Sequence, residues 1–132
     1  MSIILAVEDN LELLDLYHTV FGAVGHRVLT AVGGDEALLW MRRIRCDLIL
    51  LDLAMPGMGG LEFLRLLRRS PDWAEVPVIV VSGAISEGEL AEARRLGAMA
   101  HLQKPYFSLR ELRTRVAEGL ARRTPDRLLG RV

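Results

Sequence analysis

Five polar residues stand where short apolar runs end. Residues 3–7 lead into Glu8 and Asp9, residues 47–51 into Asp52, residues 77–81 into Ser82, and Lys104 follows the run at 99–102. If those runs are strands of one open parallel sheet, their carboxyl ends share an edge, and ligands bind in the crevice where strand order reverses. Three carboxylates, a hydroxyl and an ammonium then converge there. Carboxylates so placed repel: two unit charges about 5 Å apart at an effective dielectric of about 20 cost roughly 3 kcal/mol. Either a proton is shared or a cation fills the site. Oxygen-only donors favour Mg2+, or another hard divalent ion such as Mn2+, over zinc, and the ion would neutralise an incoming phosphoryl group. A carboxylate beside a metal, with a hydroxyl and a lysine at hand, is equipped for attack on phosphorus, where catalysis is mainly positioning and charge neutralisation. Asp52 is the best nucleophile because it ends the central strand, while adjacent Glu8 and Asp9 are better placed to hold the ion.

The basic residues carry a second signal. Of 17, all but Lys104 are arginine, so a lone compact ammonium falls where the acids gather. Chance would place it there about once in seventeen.

These residues need a scaffold, and the pattern supplies one. Apolar runs of strand length at about 3–7, 27–31, 47–51, 77–81 and 99–102 alternate with segments of helical period. Leu11, Leu14, Phe21 and Val24, then Ala37, Leu38, Met41 and Ile44, then Leu61, Leu64 and Leu67 recur at three- and four-residue spacing, which predicts amphipathic helices. Ser86 with Glu89 and Ser108 with Glu111 form capping-box patterns, and Gly97 is a stop for the fourth helix. The first, third and fourth strands are continuously apolar and so central, leaving the second and fifth at the edges. The fold class is therefore α/β, a flavodoxin-like doubly wound (βα)5 architecture with a five-stranded parallel sheet in the order 2-1-3-4-5.

Composition bounds the rest. A chain of 132 residues makes one domain, expected over residues 1–123 with a C-terminal tail or linker stump at 124–132. Its net charge of zero argues against a nucleic-acid surface. Cys46 alone cannot form an internal disulfide and reads as a small buried residue. The first apolar run reaches Glu8 too soon for a signal-peptide core or a membrane span, so the expected location is the cytoplasm. Met55, Pro56 and Gly57 shape the loop after Asp52; Met58, Trp40 and Trp73 read as packing residues. The arginine pairs at 42 and 43, 68 and 69, 94 and 95, and 122 and 123 read as solvated helix faces.

VEDN at 7–10, LILLDLAMPGMGG at 48–60, PVIVVSG at 77–83 and GAMAHLQKPY at 97–106 together resemble the receiver domain of two-component response regulators, over residues 2 to 123. The resemblance implies that Asp52 takes a phosphoryl group from a phosphohistidine on a histidine kinase or phosphotransfer protein. It implies that Asp9, Asp52 and the backbone carbonyl of Ala54 ligate Mg2+, with Glu8 acting largely through water. Ser82 would bond a phosphoryl oxygen, Lys104 would pair with its charge, and the bond to Pro105 would be cis. Output would pass to a downstream protein effector; a homodimer is left open. One position departs: three residues before the lysine the family has Tyr or Phe as a switch, and this chain has His101. Two other readings share the fold. A phosphorylation-independent docking module would not need the full set of acids, Ser82 and Lys104, and a nucleotide or flavin binder would need a G-x-G-x-x-G turn where VEDN stands.

Overall fold

A computed structural model describes the backbone over residues 1–130 and the side chains over residues 1–122. Five strands alternate with five helices: β1 (Ile3–Val7), α1 (Leu11–Gly22), β2 (Arg27–Ala31), α2 (Gly34–Arg43), β3 (Leu48–Leu51), α3 (Gly60–Arg69), β4 (Val78–Ser82), α4 (Glu87–Arg95), β5 (Ala100–Gln103) and α5 (Leu109–Gly130). Every pairing is parallel and the order is β2-β1-β3-β4-β5, as the strand composition predicts. Helix α5 carries the backbone through most of the segment expected as a tail; residues 131 and 132 lie outside the described residues. Among the described residues no helix is long and apolar enough to cross a membrane.

The two-residue period of the strands divides the core into two layers. Leu5, Val7, Ile49, Leu51, Val78 and Val80 face α2, α3 and α4. Ile4, Ala6, Leu48, Leu50, Ile79 and Val81 face α1 and α5. Because β1, β3 and β4 are covered on both sides they read as unbroken apolar runs, whereas the edge strands β2 and β5 expose some residues. Burying one large apolar side chain of this kind contributes about 1.5–3 kcal/mol.

The helix faces differ in part from the sequence expectation. In α1 the buried residues are Leu14, Tyr17, Val20 and Phe21, while Leu11 and Val24 are exposed at its two ends, beyond the sheet's cover. In α3 Phe63 joins Leu64 and Leu67 inside, and Leu61 is half-buried. Ser86 and Glu89 form the full reciprocal capping box of α4; at α5 the Glu111 N–H donates to Ser108 Oγ at 3.0 Å. Gly97 takes the left-handed φ of 85° that ends α4. Cys46 is buried with Sγ 3.6 Å from Met41 Sδ, and Trp40 Nε1 donates to the Thr30 carbonyl at 2.8 Å.

Arg68 corrects the reading of solvated arginine pairs. Its guanidinium turns inward, donating from Nε to the Leu96 carbonyl at 2.6 Å and from Nη1 to the carbonyls of Ala74 at 2.9 Å and Val76 at 2.8 Å. One side chain thus satisfies orphan carbonyls at the end of α4 and in the segment entering β4. Burial holds its pKa below the usual arginine value. Arg68→Met keeps much of the apolar stem but removes every donor. It should lower stability by about 2 kcal/mol, the scale of lost bonds to a charged group, read as a shift of the urea midpoint; an unchanged midpoint would mean that water replaces the guanidinium at no cost.

Candidate functional site

Backbone bonds that run one step past the strands set the site. Glu8 N–H donates to the Ala31 carbonyl of β2 at 2.8 Å, Asp52 N–H to the Val7 carbonyl of β1 at 3.0 Å, and Lys104 N–H to the Ser82 carbonyl of β4 at 2.9 Å. Each of these three residues is therefore pinned to its neighbouring strand by a main-chain bond, on the carboxyl edge of the sheet.

The carboxylate of Asp52 is the hub. Ser82 Oγ donates to Oδ1 at 2.9 Å, the Ala54 N–H donates to the same oxygen at 3.0 Å, and Lys104 Nζ donates to Oδ2 at 3.1 Å. Glu8 lies beside it, 1% exposed, its Oε2 accepting the Asn10 N–H at 3.0 Å. Glu8 Oε1 is 2.6 Å from Lys104 Nζ, so the buried carboxylate is held by an ion pair to the ammonium. Asp9 is exposed at the mouth, and carboxylate oxygens of Glu8, Asp9 and Asp52 lie within 4.8 Å of one another. An all-oxygen donor set of two buried carboxylates and one exposed one fits a hard, partly hydrated divalent cation.

Charge crowding shows in the titration of the cluster. Burial raises the pKa of Glu8; Lys104 and the Asn10 N–H pull it down, and the Asp52 charge pushes it up again. For Lys104, burial acts to lower the pKa, but Glu8 and Asp52 together outweigh it and the ammonium is held above its ordinary value.

The structure brings together Glu8, Asp9, Asp52, Ser82 and Lys104, and the Lys104–Pro105 bond is cis. His101 lies on β5 opposite Val80, half-buried, with Nε2 enclosed and without a hydrogen-bond partner. Two supporting residues escaped the sequence reading. Asn10 Oδ1 accepts the Leu13 N–H at 3.1 Å, capping α1, while its own N–H holds Glu8; an Asn before a helical period is a cap signal that could have found it. Gly60 opens α3 directly against the Asp52 backbone, where an added Cβ would stand 2.1 Å from the Asp52 carbonyl oxygen. Only glycine permits that approach.

The molecule is a doubly wound α/β domain whose reversal point carries an acidic crevice, a hydroxyl and a lysine. The chain belongs to the response regulator receiver domain family, whose model matches residues 4–117. It is 36% identical over 133 residues to the KDP operon transcriptional regulatory protein KdpE of Escherichia coli (strain K12), covering 98% of this chain and 57% of that protein. It is 32% identical over 117 residues to sporulation initiation phosphotransferase F of Bacillus subtilis (strain 168), covering 89% of this chain and 92% of that protein. Among solved structures, the response regulator receiver domain protein (CheY-like) of Methanospirillum hungatei JF-1 superposes with a TM-score of 0.87 at 25% identity, covering 96% of this chain and 98% of that one. The chain spans about half the length of the transcriptional regulatory proteins it matches. It is a signalling domain of two-component systems.

Removing the ammonium should expose the repulsion it now offsets. In Lys104→Met, Glu8 loses the cation that lowers its pKa, so its folded-state value rises further above the unfolded one. A carboxyl raised in the folded state leaves the protein most stable below the ordinary carboxylate pKa and costs stability as pH rises through the raised value. Urea midpoints without divalent ions should therefore fall more steeply between about pH 4 and pH 7 in the variant than in the parent. Parallel profiles would show that Lys104 does not neutralise Glu8.

Proposed function

We propose that the domain accepts a phosphoryl group on Asp52 from a phosphohistidine of a histidine kinase or histidine phosphotransfer protein, and relays that state to a downstream protein through a changed surface. The observation that carries this reading is the Asp52 carboxylate itself, held by a hydroxyl and an ammonium and set within an acidic cluster. The cytoplasm, where such kinases present their phosphohistidines, is the expected setting.

The chemistry follows from what each side chain can do. An Asp52 carboxylate oxygen attacks phosphorus, the P–N bond to the donor histidine breaks, and the imidazole nitrogen leaves with the electron pair. Because Ser82 and Lys104 already bond the two Asp52 oxygens, each can turn to a phosphoryl oxygen with a small displacement. Glu8, Asp9, Asp52 and the Ala54 carbonyl would hold Mg2+ or Mn2+, which supplies neutralisation of the phosphoryl charge. A cation held there would supply charge beside Glu8, and Lys104, now paired with Glu8 and Asp52, would then be free to pair with the phosphoryl group. Ser82 and Lys104 belong to β4 and the end of β5, so their change of partner is the step that reaches the surface and a protein effector.

Incubation with acetyl phosphate and Mg2+ should add one phosphoryl mass per chain, and Asp52→Asn should abolish it; mass spectrometry showing full labelling of the variant would sink the assignment. Mg2+ should also raise the melting temperature, since a ligand bound only by the folded state stabilises it. Asp9→Ala should lose most of that response, and a full response in the variant would place the ion elsewhere.

A further inference from the structure

A cavity of about 500 Å³ opens at the opposite pole of the sheet, where α3 and α4 end and the chain enters β4. Three helices each send an arginine to its lining: Arg68 from α3, Arg95 from α4 and Arg122 from α5. Among the described residues Glu75 is the one acid in the lining, which leaves a surplus of two positive charges there. Among the described residues none of the three guanidinium groups lies within ion-pair distance of a carboxylate. The nearby Glu92 is engaged by Arg65.

The donors are also underused. Arg68 commits Nε and Nη1 to carbonyls, but Nη2 reaches only the Gly97 carbonyl at 3.5 Å, a marginal bond. Arg95 and Arg122 are exposed and make no side-chain hydrogen bond among the described residues. Nothing acidic offsets the burial of Arg68, whose pKa is lowered by desolvation alone. Much of the remaining lining is apolar, from Val76, Pro77 and Leu96. A concave site of this size, with a few convergent polar groups on an apolar wall, suits a small organic ligand.

We propose that this cavity binds a small phosphate monoester, its phosphate on Arg95, Arg122 and the free edge of Arg68, and its organic part against Val76, Pro77 and Leu96. A phosphate near neutral pH carries close to two negative charges and so matches the surplus, where a single carboxylate would leave one charge unmet. Planar guanidinium forks bind phosphate oxygens bidentately, which flexible solvated lysines would not. The site is far from Asp52 and does not depend on its phosphorylation.

The test is an amide-shift titration of the metal-free protein with AMP, in parallel with adenosine and inorganic phosphate. AMP should perturb Val76, Leu96 and Gly97 with a dissociation constant in the millimolar range or below. Adenosine should not bind, and inorganic phosphate should bind more weakly than AMP. Arg95→Ala combined with Arg122→Ala alters only exposed side chains, so the variant should fold, and AMP binding should weaken by about tenfold or more. Asp52→Asn should bind AMP like the parent. The proposal is overturned by no perturbation up to about 5 mM AMP, by shifts confined to the neighbourhood of Asp52, by equal affinity in the double variant, or by inorganic phosphate binding as tightly as AMP.

Discussion

Repulsion among carboxylates held at one edge of a sheet is the constraint around which this molecule is arranged. Glu8 and Asp52 are almost fully buried, so these two cannot separate by rotating into water, and exposed Asp9 stands just outside. Two unit charges at that spacing cost about 3 kcal/mol at an effective dielectric of about 20. Lys104 offsets much of it by sitting between Glu8 and Asp52, and the Ser82 hydroxyl and the Ala54 and Asn10 N–H groups satisfy most of the oxygens. The Lys104 ammonium at the end of β5 thus offsets only part of the negative charge gathered there. Any cation or anion entering the crevice would compete for side chains that now hold one another.

Holding charges against repulsion requires a stiff frame. The strands behind the site are fully apolar on both faces, and the main-chain bonds from Glu8, Asp52 and Lys104 to adjacent strands fix each residue's height. Gly60 lets α3 press directly onto the Asp52 carbonyl, so the loop after Asp52 has little room to relax. At the far pole the same requirement takes another form. There α4 finishes and the chain enters β4, and Arg68 gathers the carbonyls of Leu96, Ala74 and Val76. One pole concentrates negative charge under cations and the other concentrates guanidinium groups over carbonyls.

The sequence by itself determined the fold and which side chains meet at its carboxyl edge. Continuous apolar runs named β1, β3 and β4 as central because only strands covered on both faces can omit polar residues, and the polar residue ending each run then had to lie on the shared carboxyl edge. Tertiary structure alone decided the finer matters. It turned Arg68 inward, because its carbonyl partners come from segments up to 29 residues away and no local pattern marks them. It exposed Leu11 and Val24, because helical period locates a face but not where the sheet beneath it ends. It made Lys104 a partner of Glu8 as well as Asp52, and Gly60 a contact of Asp52, since distances between strand ends depend on register and packing. Period and residue type are local properties that a sequence carries openly; which charge neutralises which, and which helix touches which carbonyl, are settled only when distant segments meet.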